Sequence, residues 1–332
     1  MAVSVLMPVR DAVSTLDEAI GSTLADLRGA RFELVLVDDG STDGSREKAR
    51  AWAASDPAVR VFERAAEGIV AALNAGLAEC RFPLVARMDA DDVWLPGRWA
   101  AQSEALEADP KLAAVGGRVE IFGEPARDGM KRYEAWLNAR RSADEVWRER
   151  YVESPLVHPA ALARREVLLE VGGYREGAFP EDYELWLRLL ARGHRLANVG
   201  EPVLRWRDSG KRLTRTDPRY GLEAHAALKA DFLKRDPIVH GGVRIAGAGP
   251  TGLRLARALR SRGVAVTGFI EVHPRKIGTA IEGIPIAGYE ALEKVNGPHL
   301  LVAIGSPGAR AEVRGFLQPR GWLEGRDFTF VA

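Results

Sequence analysis

The chain has 332 residues, 47 Lys+Arg against 46 Asp+Glu, and one cysteine, Cys80. One hydrophobic core stops growing near roughly 250–300 residues, so two domains are expected. A formal charge of +1 gives no footing for nucleic acid or an anionic membrane. A lone thiol forms neither an intrachain disulfide nor a thiolate zinc cluster.

No uninterrupted apolar run approaches the ~20 residues of a membrane span. The first residues, Met1-Ala2-Val3-Ser4-Val5-Leu6-Met7-Pro8, lack the basic start and long apolar stretch of a signal peptide. A soluble cytoplasmic protein is expected. Apolar runs predict strands at 3–7, 32–37, 59–62 and 84–88. Amphipathic spacing predicts helices at 13–27, 43–54 (with Asp43 as N-cap) and 67–80. Such alternation implies a mainly parallel sheet with helices on both faces. Ligands on such sheets gather at the carboxyl ends of the strands. The clusters Asp38-Asp39-Gly40-Ser41 and Asp89-Ala90-Asp91-Asp92 both follow strands, so both belong to that edge.

Residues 123–151 are rich in charge and aromatics, including Tyr133, Trp136 and Trp147. They read as an irregular or helical insertion that helps shape an acceptor site. A strand is expected at 156–163 and a helix at 181–192, with Leu185, Trp186 and Leu189 on its apolar face. Trp186 there reads as core. A further helix is expected at 216–234. A second domain is expected from Pro237, giving domains 1–236 and 237–332. Its elements are strands at 243–246, 264–270 and 300–304, and helices to 260 and at 309–317. Residues 237–332 carry 12 Lys+Arg and 7 Asp+Glu, against 35 and 39 in the rest.

Asp89 and Asp91 are carboxylates at i and i+2 on a turn, able to converge on Mg²⁺ or Mn²⁺, which take oxygen ligands and bridge to diphosphate. A lone D-x-D is read first as a solvated turn or helix cap, and its surroundings decide. Its surroundings are Val3-Ser4-Val5-Leu6-Met7-Pro8-Val9-Arg10, then Glu33 through Asp43, then Met88 through Asp92 with Leu95-Pro96-Gly97-Arg98. Val157-His158-Pro159, Gly172-Gly173-Tyr174 and Glu181-Asp182-Tyr183-Glu184-Leu185-Trp186 follow. In this order the chain closely resembles the family-2 glycosyltransferases of the GT-A fold over about 1–235.

The resemblance implies an inverting enzyme that moves a sugar from a nucleotide-diphosphate donor to a carbohydrate or other hydroxyl acceptor, in bacterial glycan or glycoside assembly. It implies that Pro8 and Arg10 lie beside the nucleotide. Asp39 would accept from the base, most often uracil, with Asp38 structural or on the ribose side. Asp89 would meet the ribose or uridine, and Asp91 would coordinate the metal. Asp92 fits a cap as well. Asp182 would be the general base, with Glu181 orienting it or binding acceptor. An ordinary acidic helix start accounts for the same pair. His158 is either a donor-site or a structural histidine.

Many relatives have aromatic-Arg-x-His near Trp206-Arg207, but Ser209 replaces that histidine, so a third protein metal ligand is in question. The basic residues of 204–215, including Arg207, Lys211 and Arg212, form either a loop closing over the diphosphate or a solvated one. Arg205-Trp206 is preceded by Pro202 rather than the Gln of the processive synthases, which favours single-sugar transfer.

Gly247-x-Gly249-x-x-Gly252 follows a strand and opens a helix, with Glu271 ending the next strand. This is the setting of a Rossmann phosphate turn, with Glu271 on ribose hydroxyls. Residues 240–332 resemble the small Rossmann domain at the N-terminus of bacterial sugar acyltransferases. That resemblance implies a nucleotide-sugar site, while Glu271 would favour NAD if a dinucleotide binds, unless the domain only packs or mediates a homodimer. Two rival readings of the chain are a nucleotidyltransferase, for which the stretch after the first strand lacks the Gly- and Lys/Arg-rich loop, and a nucleotide-sugar sensor with an inactive site.

Overall fold

The structure, a computed structural model, describes residues 1–123, 128–210, 212–292, 297–306 and 308–332. They form two compact units. The first comprises Met1–Trp147, Pro155–Gly177 and Glu181–Thr216; the second comprises Arg148–Ser154, Ala178–Pro180 and Asp217–Ala332. The second thus takes in 217–236 as well as 237–332.

The first unit runs β1 (Ala2–Val9), α1 (Leu16–Leu27), β2 (Arg31–Asp39), α2 (Ser45–Ser55), β3 (Val59–Arg64), α3 (Ile69–Glu79), β4 (Leu84–Arg87), β5 (Val93–Trp94), α4 (Arg98–Ala108) and β6 (Leu112–Gly123). After α5 (Asp128–Ala139) and α6 (Ala143–Arg148) come β7 (Leu162–Arg164), α7 (Arg165–Glu170), α8 (Glu181–Ala191), β8 (Arg195–Asp208) and α9 (Leu213–Thr216). The eight strands lie in the order β3-β2-β1-β4-β7-β6-β8-β5. β1 is parallel to β2 and β4, and β7 is antiparallel to β4 and β6. Val3, Val5 and Met7 of β1 pack with α1 in one core, and Leu6 packs with α3 in another. A central parallel strand covered on both faces is mostly apolar, which explains its sequence; its one buried hydroxyl, Ser4, donates to Glu33 of β2 at 2.7 Å. The register pairs Val9 with Asp38 and Leu6 with Arg87, so the carboxyl ends of β1, β2 and β4 align at one edge.

Several expectations are corrected in detail. The strand expected at 156–163 opens as a 3-10 turn, His158–Ala160, and only Leu162–Arg164 is extended. Pro159 has no N–H to give a ladder. The helix expected at 216–234 is broken by Pro218 and Gly221 into α9, a turn at Pro218–Tyr220 and α10 (Leu222–Leu233). Helix α2 is preceded by Gly44 at φ 95°, with Asp43 one residue earlier, its carboxylate accepting from the N–H groups of Val13 and Ser45. The basic segment is a strand as far as Asp208; Lys211 lies outside the described residues.

In the second unit, β9 (Val243–Ala246), α11 (Pro250–Arg260), β10 (Val266–Ile270), β11 (Ala280–Ile281), β12 (Ile284–Ala287), β13 (His299–Val302), α12 (Ala309–Leu317) and β14 (Phe328–Phe330) follow α10. The sheet order is β11-β12-β10-β9-β13-β14, with β9 parallel to β10 and β13. Residues 148–154 are woven into this unit. Arg150 donates to Asp236 at 2.8 Å, Lys229 donates to the carbonyls of Val152 and Val331, and Glu153 pairs with His225 at 3.6 Å. Burial pushes the Lys229 amine down to about 8, with Glu153 opposing the shift. Among the described residues no helix is long and apolar enough to cross a membrane.

Candidate active site

The turn after β4 gathers three carboxylates. Asp89, Asp91 and Asp92 each offer an oxygen, and these atoms lie within 4.8 Å of one another. Burial, then the charge of Asp89, raises the Asp91 carboxyl to about 6, while Arg212 pulls it back. Burial and both neighbouring carboxylates raise Asp92 well above its ordinary value. Asp92 accepts from the Arg207 N–H at 2.7 Å through Oδ1, while its buried Oδ2 has no hydrogen-bond partner. Crowded carboxylate oxygens with an orphaned buried acceptor fit a hard divalent cation.

Asp89 is tied from within. The Arg87 guanidinium, 5% exposed, donates to its Oδ1 at 2.6 Å and also to the Met88 carbonyl. Burial opposes the Arg87 charge, but Asp89 and Glu181 are among the neighbours that keep it protonated. Arg98 lies fully buried on the Trp94 ring and donates to the carbonyls of Arg87 and Pro159. It thereby joins the end of β4 to the turn containing His158. Burial lowers Arg98 to about 9.

His158 Nε2 is 2.9 Å from the Tyr174 hydroxyl, and the Trp186 indole meets its ring edge-on at 6.2 Å. Burial and then the Arg87 charge depress His158 well below its ordinary value, so the ring is neutral. Burial raises Tyr174, and the charges of Glu181 and Asp182 reach it too. Thus Glu181 and Asp182, at the start of α8, share one electrostatic neighbourhood with Arg87, Asp89 and His158. Helix α8 is fixed to the Gly172-Gly173 turn by Arg188, which pairs with Glu184 and donates to the carbonyls of Val171 and Gly173. Trp186 is core, as expected.

At the end of β2, Asp39 accepts from Glu67 N–H at 2.8 Å and Gly68 N–H at 3.1 Å, and from Arg10 at 3.3 Å. Asp38 accepts from Arg46 at 2.8 Å and from Ser41 N–H. The approach of Ala66 makes glycine necessary next door: Gly40 has φ 74°, and a Cβ there would lie 2.8 Å from Ala66 N. Pro8 is paired with Val37 inside the sheet, whereas the Arg10 side chain is 52% exposed at the edge.

The two basic candidates differ. Arg212 stacks 4.0 Å over the Trp206 ring, with its charge felt at Asp91 and Asp92. Arg207 donates to the Asp91 carbonyl and to Glu18, both at 2.6 Å. Arg87 and Glu18 do not stand out in the sequence, and Arg98 and Tyr174 carry no assigned role there. Only the Gly172-Gly173-Tyr174 and Leu95-Pro96-Gly97-Arg98 stretches marked two of their positions.

In the second unit, Gly247 has φ 100°, and a Cβ on Gly252 would lie 1.9 Å from the Gly247 carbonyl. Glu271 accepts from the N–H groups of Ala248, Val272 and His273, and Lys276 approaches it at 3.4 Å. That carboxylate is turned onto its own loop.

A mixed, mainly parallel sheet ending in a carboxylate turn has the architecture of the GT-A-like glycosyltransferases. The sequence pattern of glycosyl transferase family 2 matches residues 4–172, and the chain belongs to that family. It is 33% identical over 176 residues to the amylovoran biosynthesis glycosyltransferase AmsE of Erwinia amylovora, covering 53% of this chain and 64% of that protein. The chain thus spans less than two thirds of that relative. The mannosyltransferase PcManGT of Pyrobaculum calidifontis, solved with GDP-Man and Mn²⁺, shares the fold at TM-score 0.55 and 20% identity, over 77% of this chain and 68% of that one. S. aureus TarS 1-349 in complex with UDP-GlcNAc does so at 0.53 and 14%, over 79% and 71%.

Proposed function

We propose that the protein transfers one sugar, with inversion, from a nucleoside-diphosphate sugar, UDP-linked, to an acceptor hydroxyl. The observation that carries this reading is the crowded acidic turn at the carboxyl edge of the sheet, facing the same neighbourhood as Glu181 and Asp182. Asp91 and Asp89 would hold Mn²⁺ or Mg²⁺, which when bound supplies positive charge against the diphosphate. The Mn²⁺ of PcManGT and the UDP-GlcNAc of TarS support that class of ligand.

Asp182 takes the proton from the acceptor hydroxyl as its oxygen attacks the anomeric carbon. The sugar–oxygen bond to the diphosphate breaks on the opposite face, which inverts the centre. Glu181, buried beside it, orients the base or the acceptor. Asp39 and Arg10 form the wall for the base, with Pro8 and Asp38 fixing the strand ends beneath it. Neutral His158 braces the floor through Tyr174. Arg212 lends a cation to the diphosphate.

The test is calorimetric titration of UDP and GDP, with and without Mn²⁺, into wild type and Asp91→Ala. Metal-dependent UDP binding that disappears in the variant is expected. Failure of both nucleotides to bind wild type under either condition sinks the reading, and preference for GDP overturns the UDP assignment.

A further inference from the structure

Each residue of the acidic turn is held by another part of the first unit. Arg87 takes the Asp89 carboxylate, and the Thr15 hydroxyl donates to the Ala90 carbonyl at 2.9 Å. Arg207 serves the rest: its Nε donates to the Asp91 carbonyl at 2.6 Å, and its backbone N–H donates to Asp92. Arg207 is itself gripped, with Glu18 accepting from Nη2 at 2.6 Å and the Phe122 ring 4.4 Å from the guanidinium carbon. Thr15 and Glu18 are neighbours on one face of the start of α1, so this helix reaches the turn twice. The carboxylate of Glu18 is 51% exposed. A pair this open adds little to folding. Its geometry nevertheless bears, through Arg207, on the backbone carbonyl of Asp91 itself.

We propose that Glu18 is a positioning residue: its carboxylate holds the Arg207 guanidinium on the Asp91 carbonyl, presenting the Asp91 carboxylate to a divalent cation in a fixed orientation. This rests on the reading of Asp91 as a cation ligand. It assigns the Arg207 side chain to the turn rather than to the donor diphosphate. Small octahedral cations demand near-ideal ligand placement, and partners behind the ligands govern that placement.

Glu18→Gln, Arg207→Met and the double variant test it with two readouts. In UDP titrations with Mn²⁺, Glu18→Gln is expected to weaken binding about 10-fold, the lower end of what such partners contribute. The double variant should match Arg207→Met, since both changes remove one unit. Metal-free UDP binding should be unaltered in all three. Hydrogen exchange over residues 88–94 should quicken in metal-free Glu18→Gln while its thermal midpoint stays near wild type. Wild-type binding and exchange in Glu18→Gln, or losses that add in the double variant, overturn the proposal. Weaker metal-free UDP binding in Arg207→Met returns Arg207 to the donor and overturns it too. If wild type binds no UDP with Mn²⁺, the functional reading fails, and exchange over 88–94 alone decides: unchanged in Glu18→Gln, the clamp is absent; quickened, it stands.

Discussion

The acidic turn of the first unit and the glycine turn of the second both follow parallel strands, yet they are electrostatic opposites. Around Asp89–Asp92, burial and mutual repulsion raise two carboxyls, and Asp92 Oδ2 is left without a partner. Around Gly247–Gly252, Glu271 is met by three N–H groups and a lysine, which together hold its carboxyl below the ordinary range against burial. One turn carries unbalanced negative charge; the other is closed on itself. A motif marks where backbone geometry permits a ligand, whereas unbalanced charge marks where the protein calls for one.

The comparison can be broken most forcefully at Asp182. Asp182→Asn is expected to cut transfer by about 10²–10⁴-fold, the usual contribution of a positioned base, with UDP binding intact by calorimetry. Loss of nucleotide affinity in step with rate would move Asp182 to the donor side. Next comes Asp91→Asn, expected to weaken UDP binding in Mn²⁺ by at least about 10-fold. It also has a sign that needs no ligand. A carboxyl raised to about 6 in the fold, against about 3.9 unfolded, favours the folded state when protonated. Its contribution therefore declines as pH rises from about 4 to 6 and is unfavourable at pH 7. Metal-free wild type should accordingly lose thermal stability over that interval, and Asp91→Asn should lose less. A steeper loss in the variant would contradict the burial argument.

The glycine turn gives two smaller effects. Gly252→Ala should lower the thermal midpoint by several degrees, since its Cβ would overlap the Gly247 carbonyl; Gly249→Ala meets open space and should not. Smallest is Glu271→Gln. If Glu271 mainly closes its own loop, the cost is about 1 kcal/mol of stability, and NAD titration gives no heat in either protein. NAD binding that is lost in Glu271→Gln would make the second turn a working site and erase the contrast.

The elements of the first unit differ in what their sequences disclose. The apolar runs of β1, β2 and β4 could be read directly, because strands covered on both faces are dominated by apolar residues, and their buried polar residues Ser4, Glu33 and Arg87 are each hydrogen-bonded. Strands β6 and β8 could not. β6 carries Gly116-Gly117, where a Cβ on Gly117 would lie 2.5 Å from Val203, and β8 mixes charged and apolar positions along a half-exposed ribbon. The carboxylates were visible because they cluster in sequence. Arg87 and Glu18 were not, and Tyr174 was marked without a role, because their meaning comes from pairing across the sheet and helices. Glu18 and Arg207 are 189 residues apart, and no local pattern joins them.

The return of residues 148–154 into the second unit has an evolutionary and practical consequence. Arg150, Val152 and Glu153 there are bonded to Asp236, Lys229 and His225. A gene cut at a single point after 216 leaves that segment behind without Asp236, Lys229 and His225. Fusing 217–332 to another transferase would carry those partners into a background that lacks the segment. A transplant of the second unit therefore has to carry the turn segment 148–154 along with 217–332 to keep these pairs.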